Sequence, residues 1–114
     1  MAKKNKANDE QVVHGTANVF ADLGYPDAEE RQTKLRLAYA INLIIAEGHL
    51  TQSAAAEALG VNQPKISALL HYKLEGFSVE RLMTFLTALD RDVEISIKKK
   101  SRARSSGRIS VVAT

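Results

Sequence analysis

Apolar residues recur at helical spacing on both sides of a short turn near the middle of the chain. In residues 51–71, TQSAAAEALGVNQPKISALLH, they fall at Ala55, Ala56 and Leu59 before the turn and at Ile66, Leu69 and Leu70 after it. Gly60 stands where a helix that ends in the left-handed conformation favours glycine. Asn62 is placed to cap the second helix, and Pro64 falls in its first turn, where the missing N–H costs nothing. The pattern predicts two short helices joined by the turn Gly60-Val61-Asn62, an arrangement typical of a DNA-reading helix-turn-helix.

A longer helix is predicted before this unit, over about residues 28–47. Its inward stripe is formed by Leu37, Ile41, Ile44 and Ile45. Asp27 is placed to cap its start, Gly48 to end it, and Thr51 to cap the helix that follows. Further upstream, Val19, Phe20 and Leu23 form an apolar set that fits a short element docked on the core.

Another helix is predicted after the unit, from the N-cap Ser78 to about Asp90. Its buried positions are Leu82, Phe85, Leu86 and Leu89. Phe77 and Leu82 occupy the positions of a hydrophobic staple across the cap. With the preceding elements, this helix completes a compact bundle of four to five helices.

Beyond residue 92 the apolar positions change from a period of 3.6 to a period of 2. Val93, Ile95 and Ile97 alternate with Glu94, Ser96 and Lys98, and a second apolar group follows at Ile109, Val111 and Val112. Such alternation predicts a half-buried strand, or a hairpin joined by the basic loop KKSRARSSG. Isolated strands are marginal in water, so we expect these to pair within the chain or, more economically, with a second copy. The sequence therefore predicts a mainly α fold with a C-terminal β-strand or hairpin.

Length and composition divide the chain into one folded domain and two ends. With 114 residues there is room for a single core. Residues 1–18 are polar and aperiodic, which predicts a flexible N-terminal arm. We assign residues 19–92 to the helix-turn-helix domain and residues 93–114 to a C-terminal strand region with its basic loop.

Composition and motifs argue against catalysis and metal binding. The chain has no cysteine, and His14, His49 and His71 lie too far apart for metal-ligand spacing. No nucleophile–base pair, carboxylate cluster or glycine-rich phosphate loop is found, so we expect no enzyme activity and no cofactor. The longest apolar run, residues 37–46, is too short to span a bilayer, and the N-terminus lacks the apolar segment of a signal peptide. We expect a soluble, cytoplasmic protein without membrane contact.

The formal charge of +3 is unevenly distributed. Residues 1–30 carry −3, residues 31–97 are neutral, and residues 98–114 carry +6. A basic end suits a DNA-binding module whose tail adds phosphate contacts, although basic tails are also common as solvated termini. The charge alone is therefore weak evidence for a nucleic-acid partner.

The outward side of the second helix of the unit carries side chains suited to a DNA groove. Ile66 and Leu69 are expected to point inward. On or beside the exposed side then lie Gln63, Lys65, Ser67, Ala68 and His71. Gln can bond to adenine, Lys to guanine or phosphate, Ser to several bases, and Ala can touch the thymine methyl group. With no carboxylate among them, double-stranded DNA is the expected partner, and an ordinary helical hairpin in a bundle is the alternative.

Three further positions complete the candidate DNA-binding set. Gln52 and the first amides of its helix can bind phosphate, because a helix N-terminus presents unpaired donors and partial positive charge. Asn62 stands at the start of the second helix, next to the proposed reading side. Lys73, in the loop that follows, either contacts the DNA backbone or is simply solvated.

From about residue 19 to residue 99 the chain resembles the Xre/Cro-type helix-turn-helix antitoxins, HigA-like proteins that pair with RelE/HigB-like ribonuclease toxins. The segments that carry the resemblance are VFADLGYPDAEE, LTQSAAAEALGVNQPKISALL, LEGFSVERLMTFLTALDRDVEISIK and the RISVVA end. The helix-turn-helix segment is shared with phage repressors and standalone regulators. The continuation FSVERLMTFLTAL and DVEISI is what favours the antitoxin class.

The resemblance implies a small homodimer that represses its own operon at a palindromic operator and neutralises a toxin. In the family's recognition helix, the matching positions for bases or backbone are Gln63, Lys65, Ser67 and Ala68, with Gln52 as the phosphate anchor. We therefore expect an antitoxin of a type II toxin-antitoxin system. A standalone transcriptional repressor is the alternative, and a small enzyme is a distant third.

The acidic N-terminal region is the expected binding site for the toxin. It contains Val12, Val13, Val19, Phe20 and Leu23, an apolar set that a small helical core does not fully bury. An acidic arm can order on a basic partner, and toxins that bind ribosomes or RNA are expected to be basic. The alternative is that Phe20 and Leu23 only close the bottom of the core while residues 1–18 are inert.

Overall fold

The computed structural model describes residues 27–113, and these residues form four α-helices. They are α1 (Ala28–Glu47), α2 (Gln52–Leu59), α3 (Gln63–Leu70) and α4 (Val79–Ala88). These are the four helices predicted around the central turn, so the mainly helical bundle is confirmed. The predicted N-terminal arm and the apolar set at Val19, Phe20 and Leu23 lie outside the described residues.

The core lies between the long helix α1 and the three shorter helices. α1 packs mainly on α4, and α2 packs on α3. The largest fully buried side chains are Ile41, Ile66, Leu69, Leu82 and Phe85. The Phe85 ring meets that of Phe77 edge to face, with 5.9 Å between ring centroids. Within residues 27–113, no helix is long and apolar enough to cross a membrane.

The start of α1 differs from the prediction in one bond. Asp27 stands at the N-cap, but its side chain accepts no backbone N–H of the helix. Its carboxylate instead accepts a 2.8 Å hydrogen bond from Nε of Arg31, one turn later. This bond holds the pKa of the Asp27 carboxyl below its ordinary value of 3.8. α1 therefore begins with an ion pair in place of a side-chain cap.

Each helix is followed by a residue in the left-handed conformation. These residues are His49 (φ 55°), Gly60 (φ 69°), Tyr72 (φ 60°) and Asp90 (φ 63°). In each case the next backbone N–H bonds to a carbonyl five residues earlier, at 2.8–3.1 Å, which satisfies an orphan acceptor at the helix end. Gly48, predicted to end α1, keeps a right-handed φ of −82°. His49 makes that turn instead.

The predicted C-terminal strand or hairpin is not formed within residues 93–113. Ile95 and Ile97 are 74% and 93% exposed. A β ladder needs a second extended backbone alongside the first. Ile109 and Val111 of the predicted second strand bond to side chains of α1, and within the described part of the chain residues 93–97 have no strand beside them.

Two contacts hold the end of the chain on α1. The backbone N–H of Ile109 donates to the Glu29 carboxylate at 2.8 Å, and the Arg36 guanidinium donates to the Val111 carbonyl at 3.4 Å. Val111 is half-buried against the core. The end of the basic region is thus tied to the first half of α1.

Candidate nucleic-acid interface

The unit formed by α2, the turn and α3 is fixed by side-chain caps at both helix starts. The Thr51 hydroxyl accepts the Ala54 N–H at 3.0 Å. The Asn62 side-chain oxygen accepts the Lys65 N–H at 2.9 Å. Between the helices, Gly60 is left-handed with a φ of 69°. The predicted caps and turn are confirmed, and they set where α3 begins and in which direction it runs.

The inward side of this unit is apolar, as the pattern predicted. Ile66 and Leu69 of α3 have no exposed surface, and they belong to the same core cluster as the buried Ala55 of α2. One polar contact from α1 adds to this packing, because the Asn42 amide donates to the Leu69 carbonyl at 3.1 Å. α3 is therefore held along its length by the core and near its end by a hydrogen bond.

The outward side of α3 forms a shallow depression on the protein surface. It has a volume of about 320 Å³ and is lined by Pro64, Ser67, Ala68, His71 and Lys73. Gln63 is exposed at the first position of the same helix. The lining has hydroxyl, imidazole and ammonium groups and no carboxylate. Such a surface is suited to the negatively charged phosphates and the base edges of a nucleic acid.

His71 has a defined hydrogen-bonding state in this depression. Its Nδ1 lies 2.8 Å from the Ser67 carbonyl oxygen. Because a carbonyl oxygen only accepts, Nδ1 carries the proton in this bond, and in the neutral form of the ring Nε2 is then an acceptor. The exposed ring can thus accept a hydrogen bond from a base amino group.

Lys65 is anchored within the protein. Its Nζ donates to the Gly76 carbonyl at 2.8 Å and lies 4.5 Å from the centroid of the Phe77 ring. The Lys65 side chain therefore bridges α3 and the loop before α4, by a hydrogen bond and a cation–π contact.

Comparison with known proteins places this arrangement in a family. A family model described as "Helix-turn-helix domain" matches residues 19–98. A solved structure described as "Putative XRE Family Transcriptional Regulator" shares 71% sequence identity, with a TM-score of 0.75, over 78% of this chain and 100% of that one. Among curated proteins, none matches the chain significantly. The chain belongs to the Xre-type helix-turn-helix family.

The Xre-type domain brings together most of the predicted site residues. Ser67, Ala68, His71 and Lys73 share the depression on α3, and Gln63 is exposed at the first position of that helix. Gln52 is exposed at the first position of α2. Asn62 and Lys65 belong to the same region, but each already has a partner within the domain.

Sequence reasoning missed the two contacts that brace α3 from outside its own unit. Lys65 reaches Gly76 across 11 residues, and Asn42 reaches Leu69 across 27 residues. The sequence gives only a weak signal for the Asn42 contact, a polar residue inside the apolar run of α1, and no local signal for the contact between Lys65 and Gly76. The tertiary arrangement decides both.

Proposed function

We propose that this Xre-type protein is a sequence-specific transcriptional regulator that inserts α3 into the major groove of duplex DNA. The observation that carries the proposal is the outward side of α3, which is polar, accessible and free of carboxylates while the opposite side is buried. A helix of this width fits the major groove, where each base pair presents a distinct pattern of donors and acceptors.

The proposed contacts divide into base reading and phosphate binding. Gln63 and Ser67 read base edges, and Ala68 meets a thymine methyl group. His71 adds an acceptor beside them through its Nε2 atom. Gln52 and Lys73 bind phosphates on either side, which fixes the position of α3 without reading sequence.

Asn62 and Lys65 take part mainly by holding α3 in place. The Asn62 side-chain oxygen already accepts the cap bond, and its amide N–H₂ is the donor it can offer to DNA. The Lys65 ammonium is already held by its bond to the Gly76 carbonyl. We therefore assign Lys65 chiefly to the orientation of the reading helix.

We propose further that the regulator is a homodimer that binds a palindromic operator. A helix-turn-helix dimer places its two reading helices on half-sites one DNA turn, or a multiple of it, apart. The exposed Ile95 and Ile97 support the proposal, because contiguous exposed aliphatic side chains are typical of an interface.

The finer role we propose is that of an antitoxin. It rests on the resemblance of the α4 region and of residues 92–97 to HigA-like proteins, and on the negative charge of residues 1–30. In this role the protein represses its own operon and neutralises a RelE/HigB-like ribonuclease toxin. A standalone repressor is the second candidate, and the description of the 71% identical structure, which names a transcriptional regulator, fits both roles.

Selection of bound duplexes from a random pool tests the DNA-binding proposal. The full chain is expected to enrich an inverted repeat whose half-sites lie about 34–36 Å apart, or a multiple of that distance. Enrichment of a single half-site would leave DNA reading intact and contradict the dimer. A pool that stays random at low and moderate salt would contradict sequence-specific reading.

A further inference from the structure

Residues 92–100, DVEISIKKK, form an exposed segment without helix or strand shortly after α4. All of them are exposed, and the exposed fraction of the aliphatic side chains rises from 36% at Val93 to 93% at Ile97. Aliphatic and polar side chains alternate here, as in a strand with one apolar side. The segment has the sequence of a strand while the described part of the chain offers it no partner strand.

The charges of this segment are arranged symmetrically about its middle. Asp92 and Glu94 precede the central Ser96, and Lys98 and Lys100 follow it at the same spacing. An antiparallel copy of the same segment reverses the order, so the acidic half of one strand then faces the basic half of the other. Two antiparallel copies of this segment therefore have complementary charges.

We propose that residues 92–100 pair with the same residues of a second copy as antiparallel strands about a two-fold axis at Ser96. This deepens the homodimer proposed above, on which it rests, by naming the surface and its register. Glu94 then faces Lys98 of the second copy, and Asp92 faces Lys100 of the second copy. On the other side, Ile95 faces Ile97 of the second copy. Opposite charges and aliphatic pairs placed directly across two strands are stabilising.

Neighbouring registers fit less well. A shift of the pairing by one residue places each aliphatic side chain opposite a polar or charged one. A shift by two residues, to an axis at Ile95, pairs Val93 with Ile97 and Asp92 with Lys98 of the second copy but leaves Glu94 opposite Ser96. It also places Arg91 opposite Lys99 of the second copy, and like charges across a ladder are unfavourable. The axis at Ser96 places Val93 opposite Lys99 of the second copy, but of these registers it is the one in which Asp92 and Glu94 both face lysines and no like charges oppose each other within residues 92–100.

This pairing gives the strand segment a role in DNA recognition. Few residues separate the end of α4 at Ala88 from the start of the segment at Asp92, so the register fixes the distance and angle between the two copies of α3. A two-stranded ribbon alone is marginal in water. Binding of both copies to one operator raises their effective concentration and strengthens the pairing.

Charge reversal tests the register in the full chain. In the Glu94→Lys variant, the new lysine faces Lys98 of the second copy, so two positive charges oppose each other. In the Lys98→Glu variant, the new glutamate faces Glu94 of the second copy, so two negative charges oppose each other. Each should raise the dimer dissociation constant about tenfold, because two opposed pairs become like-charged in a symmetric dimer. The double variant restores both pairs and should return to within about threefold of the parent. Sedimentation equilibrium measures all three. A double variant that is as weak as the singles, or singles that dimerise like the parent, would overturn the register.

Cross-linking gives an independent readout, because the chain has no natural cysteine. Under mild oxidation Ser96→Cys should form a disulfide dimer faster than Ile95→Cys or Ile97→Cys, since only residue 96 faces itself across the axis. Faster cross-linking of Ile95→Cys would place the axis at Ile95 and overturn this register. A protein that dimerises without cross-linking at any of the three positions would place the interface elsewhere. A monomer that still selects its DNA sequence would overturn the pairing and leave DNA reading standing.

Discussion

At the scale of single residues, four left-handed positions end the four helices, and one of them is a glycine. Gly60 lies in the turn before α3, with a φ of 69° and no heavy atom within 4 Å of the position a Cβ would take. His49, Tyr72 and Asp90 adopt the same conformation with a side chain. At Gly60 the cost of a side chain is therefore one of backbone conformation and not of packing.

Gly60→Ala is expected to lower the free energy of unfolding by about 1–2 kcal/mol, the typical cost of a left-handed conformation for an L-residue. Urea unfolding measures it. Gly107→Ala is the matched control, since nothing lies within 4 Å of a Cβ there and its φ is not left-handed. Equal stabilities of the two variants would contradict the conformational account of the turn.

A second prediction at this scale concerns Asp27. Its hydrogen bond with Arg31 lowers the pKa of the carboxyl from 3.8. In Arg31→Gln, the Asp27 carboxyl should titrate at a higher pH than in the parent, as followed by NMR. Because the folded pKa is depressed, the contribution of the pair is present above pH 3.8 and is lost as the pH falls through the lower folded value. An unchanged Asp27 titration in the variant would show that Arg31 does not hold the carboxylate.

At the scale of elements, α3 is held more firmly than its eight residues suggest. An isolated helix of this length is unstable in water, so the tertiary contacts decide its position. Burial of Ile66 and Leu69 supplies most of the stabilisation, and Lys65 and Asn42 add polar contacts at the two ends. This bracing favours DNA binding, because a prearranged reading helix loses less conformational entropy on association.

Lys65→Met tests the bracing. Methionine keeps most of the side-chain length but loses the bond to the Gly76 carbonyl and the cation–π contact with Phe77. The free energy of unfolding should fall by about 1 kcal/mol. Lys73→Met is the control in the loop that follows α3, and it should leave stability unchanged within about 0.5 kcal/mol. If both variants are as stable as the parent, the Lys65 contacts do not stabilise the fold.

The elements also show how far local sequence carries a prediction. The caps at Thr51, Asn62 and Ser78 are local signals, and the structure forms each of them. The four helices and the turn follow from the same kind of signal. The strand segment is equally clear in its alternation, yet no strand forms, because a ladder depends on a partner that the alternation does not specify.

Only part of the candidate site could be predicted, because local spacing sets which side chains face outward but not which distant groups they contact. The outward position of Gln63 and Ser67 follows from the inward position of Ile66, since helical spacing sets both. The anchoring of Lys65 depends on the loop at Gly76, which local spacing does not place. Exposure was predictable from periodicity, whereas the partner of a long flexible side chain was not.

At the scale of the whole molecule, the proposed antitoxin role requires two binding surfaces. We propose that α3 and its neighbours bind DNA and that the acidic N-terminal region binds the toxin. Deletion of residues 1–24 should therefore leave specific DNA binding nearly unchanged. It should weaken both co-purification with the toxin and its neutralisation in a growth assay, since the acidic apolar arm is removed.

The controls for this deletion separate the two candidate functions. The operator affinity of the truncated protein is the folding control, because a truncated protein that binds DNA like the parent is still folded. If the truncated protein still captures and silences the toxin at parental strength, the toxin-binding surface lies elsewhere. If neighbouring reading frames encode no protein that the full chain binds, the standalone repressor is the better account.

The measurement that most directly tests the central claim is an anisotropy titration of the selected operator duplex with Gln63→Ala. Gln63 is exposed on α3, so its truncation should leave circular dichroism and stability unchanged. Loss of a bidentate base contact should weaken specific binding by about 1–3 kcal/mol. Thr87→Ala, an exposed truncation on α4, is the control and should bind like the parent. A Gln63→Ala protein that binds the operator as tightly as Thr87→Ala would contradict the assignment of α3 as the reading helix.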